Sequence, residues 1–224
     1  MNKTGIIYKI VKKCLLSYNY LLSLPFRLRY RKIFVFGDNC IIRKCKISSS
    51  RNGRVIIGNN VLLLKCVFHF ENGVNVIKIG DNVSLRGVEF IERYGGENVI
   101  SIGRSTTMGA TQLEASENCS LQIGDDCMFS YNIKVWASAH HSILYDGKRA
   151  NPSESIIIGD HCWIGHSACV LKGSIVPDGC IVGVNSLYTK KNNIPNAIYV
   201  GSPAKMIREN ISWCRDLLPI NEKI

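Results

Sequence analysis

Branched aliphatic residues return at a fixed interval in the last third of the chain. From position 158 to position 182 one of them falls at every sixth place, and a small residue follows four places after each. The aliphatic positions are Ile158, Ile164, Val170, Val176 and Val182, and the small ones are Cys162, Ala168, Ser174, Cys180 and Ser186. This period differs from the ~3.6 residues of an amphipathic helix. It predicts short strands that each turn one aliphatic side chain inward, separated by tight turns.

A longer repeat runs through the middle of the chain. The dipeptide Ile-Gly recurs in steps of 22, 23, 21 and 35 residues, at Ile57–Gly58, Ile79–Gly80, Ile102–Gly103, Ile123–Gly124 and Ile158–Gly159. If three six-residue units close one triangular coil, Ile158 stacks with Val176, and Ile164 with Val182. Glycine suits the tight corners of such coils. We expect the extra residues of the longer steps to form loops at the corners, the largest within the 35-residue step.

These repeats predict an all-β protein, a parallel β-helix whose stacked coils bury a continuous column of Ile, Val and Leu. Backbone groups of each coil would pair with the coils above and below, which satisfies their hydrogen-bonding capacity. An antiparallel β-sandwich is the alternative, with strands every ~8–12 residues. A sandwich does not account for a six-residue phase held over five units.

The chain has 224 residues, enough for one main domain with short appendages. We predict a basic amphipathic segment over residues 1–36, the β-helix over 37–200 and a C-terminal extension over 201–224. A loop at about 136–155 is expected to protrude from the β-helix. Residues 4–32 place apolar side chains at roughly helical intervals, which predicts a short N-terminal helix with a break near Pro25.

Positive charge is concentrated near the N-terminus. Residues 1–54 hold thirteen Lys and Arg against one acid, Asp38, whereas the other 170 residues hold fifteen against sixteen. Two compatible roles fit the N-terminal helix: docking on the open end of the β-helix, and contact with an anionic membrane surface through residues 1–32. Nucleic-acid binding is not expected, because no recognised motif accompanies the charge.

Ten cysteines are spread along the chain without a CxxC pair, and no convincing secretory signal precedes them. We therefore expect reduced thiols, mostly buried as small apolar side chains, in a cytoplasmic protein. No apolar run reaches the ~18 residues that span a bilayer, so a transmembrane protein is not expected. A peripheral position at the inner face of the membrane is compatible with this interpretation.

Two adjacent histidines, His140 and His141, lie where the repeat is interrupted, in the polar stretch VWASAHHSILYDGKR. Histidine titrates near neutrality, which suits it to accept a proton from an attacking hydroxyl group. The position of the pair in the largest interruption of the scaffold predicts a catalytic loop. A solvated pair without a chemical role is the alternative interpretation.

Residues 155–210, SIIIGDHCWIGHSACVLKGSIVPDGCIVGVNSLYTKKNNIPNAIYVGSPAKMIREN, resemble the hexapeptide-repeat acyltransferases, and most of all the sugar O-acetyltransferases of capsule and O-antigen. The block IGDHCWIG, the step YTKKN and the closing GSPAKMI carry the resemblance together. It implies a left-handed parallel β-helix, against the usual right-handed rule for parallel crossovers. It also implies a homotrimer that holds acetyl-CoA in grooves between neighbouring subunits.

By position, the resemblance implies roles for individual residues. His141 matches the general base, with His140 beside it. The implied coenzyme contacts are His166, Val184, Thr189 and Lys190, and the residues implied near the nucleotide phosphates are Lys205 and Arg208. Relatives often carry an acidic residue two places before the histidine, where this chain has Ala139. The group that orients His141 is therefore not identified by the sequence.

The expected activity is transfer of an acetyl group from acetyl-CoA to a sugar hydroxyl of a surface polysaccharide, capsule or O-antigen, or of its precursor. Two substrates held side by side can react directly, without a covalent enzyme intermediate. Two alternatives stay open: acetylation of a serine or amine acceptor, and a non-catalytic β-helix used for assembly.

His161 and His166 raise a further alternative, because His-x4-His on a β-helix also occurs in the γ-class carbonic anhydrases. A zinc site of that kind needs a third ligand. At the matching upstream position this chain has Asp125 rather than histidine. We therefore expect no metal, and we expect Trp163 to serve packing at a repeat position.

Overall fold

The computed structural model describes residues 3–48, 53–189, 191 and 194–220. These ranges contain one helix, α1 (Lys3–Arg29), and short strands. In chain order the strands are β1 (Phe34–Phe36), β2 (Ile41–Arg43), β3 (Lys46–Ile47), β4 (Gly53–Ile57), β5 (Leu62–Leu64), β6 (Val67–Phe70), β7 (Val74–Ile79), β8 (Ser84–Arg86), β9 (Glu89–Arg93), β10 (Glu97–Ile102), β11 (Thr107–Met108), β12 (Thr111–Ser116), β13 (Ser120–Ile123), β14 (Met128–Phe129), β15 (Ile133–Trp136), β16 (Leu144–Tyr145), β17 (Lys148–Arg149), β18 (Ile156–Ile158), β19 (Trp163–Ile164), β20 (Cys169–Leu171), β21 (Ile175–Val176), β22 (Ile181–Val182), β23 (Leu187–Tyr188), β24 (Ile198–Gly201) and β25 (Ala204–Arg208).

All of these strands except β16 and β17, which pair with each other, form three sheets that run along the sides of a triangular prism. The first sheet has the order β1-β4-β7-β10-β13-β18-β21, the second β2-β5-β8-β11-β14-β19-β22-β24-β25, and the third β3-β6-β9-β12-β15-β20-β23. Neighbouring strands are parallel, except that β25 folds back antiparallel on β24. Ile158 pairs with Val176, and Ile164 with Val182. The predicted parallel β-helix and its stacking register are confirmed.

The interior holds the aliphatic column that the six-residue period predicts. All five aliphatic positions and all five small positions of the strict repeat are buried. In the first coils the column widens to aromatic residues, and the rings of Phe68 and Phe90 stack with centroids 4.9 Å apart. Cysteines 40, 66, 119, 127, 162 and 180 are buried, as the sequence predicts for small apolar side chains. Trp163 instead faces outward and is 37% exposed.

A ladder of aspartates explains the repeated Ile-Gly dipeptide. The carboxylate of Asp178 accepts a hydrogen bond of 2.8 Å from the backbone amide of Asp160, and Asp160 accepts one of 2.7 Å from Asp125 in the coil below. A Cβ atom on Gly159 would lie 2.1 Å from the Asp178 carboxylate. Glycine is therefore required at this corner by the close approach of the next coil.

The extra residues of the longer coils all occur between the third and the first sheet. Part of them lengthens strands, since β10 and β12 each have six residues where β21 has two. The remainder forms tight turns, such as the turn at Gly95 and Gly96, both with positive φ. The expectation of loops alone is thus corrected: longer strands widen the prism at this corner. The largest excursion, residues 137–155, leaves from the same corner.

The helix α1 runs without interruption through Pro25, so the predicted break is wrong. The C-terminal part of the helix docks on the first coil. The rings of Phe26 and Phe34 lie 5.1 Å apart, and the guanidinium of Arg27 donates a hydrogen bond of 3.0 Å to the carbonyl of Cys40. These contacts hold the last turns in place although proline removes one helical hydrogen bond. No helix of the described ranges has both the length and the hydropathy needed to cross a bilayer.

Candidate active site

The histidine pair lies on an arm that leaves the prism after Trp136 and returns at Ile156. The arm, residues 137–155, carries the antiparallel hairpin β16–β17. Asp146 and Gly147 at its tip have φ values of 49° and 72°, the pattern of a two-residue hairpin turn of type I′. Leu144 and Tyr145 are 65% and 74% exposed, so the tip projects into solvent.

The base of the arm is fastened to the prism. The backbone amide of Glu154 donates to the carbonyl of Ala137 at 3.0 Å, which closes the arm at its root. Arg149 forms a bidentate ion pair with Glu117 of the neighbouring coil, with Nη2 2.8 Å from Oε2. This guanidinium lowers the pKa of Glu117 to about 2. The arm is therefore a held structure rather than a free loop.

His140 turns toward the prism. Its Nε2 atom lies 3.9 Å from Oε2 of Glu114, and its ring meets the rings of Trp136 and Tyr94 edge to face, with centroids 5.7 and 6.1 Å apart. The backbone of His140 has a φ of 61°, in the left-handed region, and its amide donates to the hydroxyl of Ser138 at 3.0 Å. The imidazole is thereby fixed between two aromatic rings and a carboxylate.

Glu114 is the functional candidate that the sequence analysis missed. It lies on β12 between Ile91 and Trp136 of the adjacent coils, on the outer side of the third sheet, yet it is fully buried beneath the arm. Its carboxylate accepts hydrogen bonds from the hydroxyl of Ser116 and from the backbone amide of Ser138, the latter at 3.2 Å. Only the coil register, which places position 114 beside position 136, points to it from sequence.

Burial sets the electrostatics of this carboxylate. It raises the pKa of Glu114 above the ordinary value, while the hydrogen bond from Ser116 and the nearby His140 act in the opposite direction. A carboxyl group that is removed from water needs partners to stabilise its charge. On the arm, the imidazole of His140 faces this carboxylate, with Nε2 3.9 Å from Oε2.

His141 is held through its backbone. Its amide donates to the carbonyl of Ala139 at 2.7 Å, and its own carbonyl accepts from the side-chain amide of Asn151 at 2.7 Å. The same Asn151 side chain accepts from the amide of Ile143 at 2.7 Å. Within the described residues the ring of His141 makes no hydrogen bond, and the residue is exposed. The imidazole is free to meet a substrate.

Three of the coenzyme positions implied by the resemblance share one corner, between the second and third sheets. His166 and Val184 occupy equivalent turns of adjacent coils, and the amide of Asn185 donates to the His166 carbonyl at 2.9 Å. Lys205 pairs with Val200 in the top strands of the second sheet, close to the same corner. All three predicted residues are exposed.

The other implied positions lie elsewhere. Thr189 follows Tyr188 at the corner between the third and first sheets, the corner from which the arm leaves. Arg208 pairs with Ile198, at the opposite end of β24 from Lys205. Lys190 lies outside the described residues. A single chain thus does not gather the whole predicted set at one place.

The contacts of His161 do not support the metal hypothesis. Its Nδ1 atom lies 2.8 Å from Oδ2 of Asp126, and its Nε2 atom lies 3.0 Å from the carbonyl of Trp213, whose ring stacks on the imidazole at 4.1 Å. Asp125 is engaged by Arg104. In the part of the chain that the structure describes, no three His, Cys, Asp or Glu side chains are grouped to hold a metal ion.

Comparison with known sequences gives two curated relatives. No protein-family model matches the chain. The polysialic acid O-acetyltransferase of Neisseria meningitidis is 38% identical over 168 residues, which cover 74% of this chain and 77% of the relative. A polysialic acid O-acetyltransferase of Escherichia coli O1:K1 / APEC is 36% identical over 141 residues, which cover 62% of this chain and 45% of that relative.

Solved structures give the same grouping. The polysialic acid O-acetyltransferase OatWY superimposes with a TM-score of 0.67 at 27% identity, over 82% of this chain and 93% of that one. The polySia specific acetyltransferase NeuO gives 0.64 at 27% identity, over 83% and 84% of the two chains. On this sequence and structural similarity, the chain is an enzyme of the hexapeptide-repeat, left-handed β-helix acyltransferases and belongs with the polysialic acid O-acetyltransferases.

Proposed function

We propose that this protein transfers the acetyl group of acetyl-CoA to a hydroxyl group of an acidic surface polysaccharide, polysialic acid or a polymer close to it, or to its precursor. The relatives named as polysialic acid O-acetyltransferases support the acceptor class. The observation that carries the proposal is the fastened arm, which presents the unengaged ring of His141 outside the prism.

In this mechanism His141 is the general base. The acceptor hydroxyl loses its proton to the imidazole as its oxygen attacks the thioester carbonyl, which gives a tetrahedral intermediate. Collapse of the intermediate forms the sugar ester and expels the CoA thiolate, which takes the proton back from His141. Holding both substrates together removes much of the barrier, so no acyl-enzyme is needed.

His140 has a supporting part in this proposal. Its ring faces Glu114 and is wedged between Trp136 and Tyr94, so it anchors the arm on the prism. Because neighbouring side chains point in different directions, anchoring His140 inward leaves His141 displayed outward. His140 is therefore a positioning residue, and Glu114 is the buried carboxylate that holds it.

The coenzyme is proposed to lie along the corner that carries His166, Val184 and Lys205. Lys205 supplies a point charge for a phosphate. The arm leaves from a different corner of the same chain. A homotrimer accounts for this separation, because the arm of one copy can then face the coenzyme corner of its neighbour. Thr189, Lys190 and Arg208 stay assigned to the coenzyme by resemblance.

A cytoplasmic location completes the proposal. It rests on the ten cysteines, all of which are free thiols. Reduced thiols are typical of the compartment in which acetyl-CoA is available to such an enzyme.

The activity is tested with purified protein, acetyl-CoA and three acceptors: polysialic acid, free sialic acid and neutral dextran. We expect release of free CoA thiol together with ester-linked acetyl groups on polysialic acid, and little on dextran. Acetylation of free sialic acid at the same rate would assign a monomeric acceptor. Equal acetylation of dextran, or CoA release without any acetylated sugar, would refute the proposal.

A further inference from the structure

The helix α1 presents two different faces. Ser23, Phe26 and Arg27 turn toward the first coil, and Ser23 is 1% exposed. A neighbouring, exposed face carries apolar residues at spacings of four, three and four, which form one stripe on a helix. We call these residues the outer stripe: Val11, Leu15, Tyr18 and Leu22, which are 50%, 56%, 57% and 45% exposed.

The outer stripe has no partner among the described residues, and it extends over three turns. Leu21 and Leu28 flank it and are 63% and 62% exposed. Scattered exposed apolar residues are ordinary, whereas a continuous exposed apolar strip marks an interaction surface. The partner must therefore offer an apolar environment to one side of a helix.

The charge around the stripe further limits the chemical class of the partner. The first 54 residues hold thirteen Lys and Arg against Asp38 alone. Arg29, at the end of the helix, and Arg31 and Lys32 just after it, are exposed. A second copy of this helix would bring two strongly basic segments together, which like-charge repulsion opposes. A surface with negative charges outside and an apolar layer beneath them would fit both the exposed apolar stripe and the positive charge of the segment.

We propose that the outer stripe binds the surface of an anionic lipid bilayer, with α1 lying in the plane of the interface. In this arrangement the apolar side chains enter the boundary between headgroups and acyl chains, and the basic residues neutralise lipid phosphates and carboxylates. The docked face, through Phe26 and Arg27, keeps the β-helix attached to the bound helix. The inference is independent of the acetyl-transfer chemistry.

The proposal leaves the catalytic arm four coils away from the end of the prism on which the helix docks. The helix docks on the first coil, whereas the arm leaves after β15 in the fifth coil of the third sheet. Coils are spaced by about 4.8 Å, so four spacings give about 20 Å.

The test is flotation of the full-length protein with lipid vesicles. One set of vesicles is pure phosphatidylcholine, and the other also contains phosphatidylserine. We expect the protein to float with the anionic vesicles, and the bound fraction to fall as salt is added, because salt screens exposed charges. The double variant Leu15→Ser with Leu22→Ser should lose about tenfold or more of its vesicle affinity.

The matched control removes equally exposed apolar side chains at the other end of the chain, Leu217→Ser with Ile220→Ser. These residues are 102% and 101% exposed. The control should float like the unchanged protein. Acetylation of a soluble acceptor should be equal in all three proteins, which separates loss of membrane binding from loss of activity or fold.

A second variant tests the charge. Replacement of Arg29, Arg31 and Lys32 by glutamine should also weaken binding to anionic vesicles without altering the apolar stripe. Flotation of the stripe variant at the unchanged level would overturn the proposal. So would equal binding to neutral vesicles, or a stripe variant that keeps flotation but sediments as a smaller assembly, which would assign the stripe to self-association.

Discussion

The Nε2 atom of His140 lies 3.9 Å from Oε2 of Glu114, a carboxylate fully buried between the third sheet and the arm. This relationship gives the two adjacent histidines different surroundings. His140 is bound to the scaffold, whereas the ring of His141 makes no hydrogen bond within the described residues. The scaffold thus fixes the first histidine, and through the shared backbone it sets the direction of the second.

Replacement of His141 by alanine should lower kcat for acetyl transfer by about 10²–10⁴-fold, because a positioned base contributes about that factor. The side chain is exposed, so thermal unfolding should stay within a degree or so of the unchanged protein. The measurement is release of CoA thiol at saturating acetyl-CoA and polysialic acid. Turnover of the alanine variant at the original rate would remove His141 from the mechanism.

His140→Ala and Glu114→Gln are the companions of that experiment. Both should lower kcat less than His141→Ala, and both should loosen the arm, which is detectable as faster hydrogen exchange of its amides. If His140→Ala instead abolished transfer while His141→Ala did not, the roles of the two histidines would be reversed.

The ion pair between Glu117 and Arg149 should control the opening of the arm. The neutral variant Glu117→Gln removes the charge from this partly exposed contact and so weakens it. Limited digestion with trypsin should then cut after Lys148 about two to five times faster. The cleavage rate, followed by mass spectrometry, is the readout.

The same pair should respond to acid. Arg149 lowers the pKa of Glu117 to about 2 in the folded protein. The stabilising contact is therefore complete above the ordinary value of 4.5 and is lost as the pH falls toward about 2.

The control for the digestion with trypsin is Asp146→Asn, at the tip of the hairpin. It removes a charge from the arm without touching the pair and should leave the cleavage rate unchanged. Equal rates for Glu117→Gln and Asp146→Asn would contradict the prediction.

Sequence periodicity predicts most of the fold because a stacked coil repeats the same packing problem. The inward position of every coil needs an aliphatic side chain, so Ile158 and Val176 reveal their stacking directly. Periodicity does not predict the path of α1 through Pro25. There the contacts of Phe26 and Arg27 with the first coil outweigh the local cost of proline, and tertiary packing of this kind leaves no periodic trace.

The candidate site is less visible in the sequence. An interruption of the repeat identifies His140 and His141, but the carboxylate beside His140 comes from Glu114 on the adjacent coil, 25 residues before Ala139. An acid on the outer side of a strand can be recognised as buried only from the segment that covers it. The arm that covers Glu114 lies more than twenty residues downstream. Only the three-dimensional register brings these segments together.

Charge reversal at Lys205 should raise KM for acetyl-CoA with little change in kcat, because a lysine near a phosphate contributes to binding the coenzyme throughout the reaction. An increase of about tenfold corresponds to the loss of one charge-assisted contact. The variant is Lys205→Glu. Lys78→Glu, an exposed position on the first sheet, is the matched control with the same change of net charge. An equal increase in KM for both variants would reduce the effect to general electrostatics.

Glu92 carries the clearest pH dependence of stability. It lies on β9, is fully buried, and neither carboxylate oxygen has a hydrogen-bond partner among the described side chains. Burial raises its pKa to about 8, against a smaller opposing effect of the Val76 backbone amide. The folded protein therefore holds this proton more tightly than the unfolded chain, so stability is greatest below the ordinary pKa of 4.5 and falls as the pH rises toward about 8.

Glu92→Gln should remove this fall, because glutamine keeps the shape of the protonated acid and does not ionise. In the unchanged protein, ionisation of Glu92 lowers the free energy of unfolding by up to about 1.4 kcal/mol per pH unit within that window. Urea unfolding at several pH values between those limits measures the slope of the free energy of unfolding against pH. Glu97→Gln, at the exposed first residue of β10, makes the same chemical change without burial and should keep the slope of the unchanged protein. A slope for Glu92→Gln that matches Glu97→Gln would show that the buried carboxyl group does not determine the pH response.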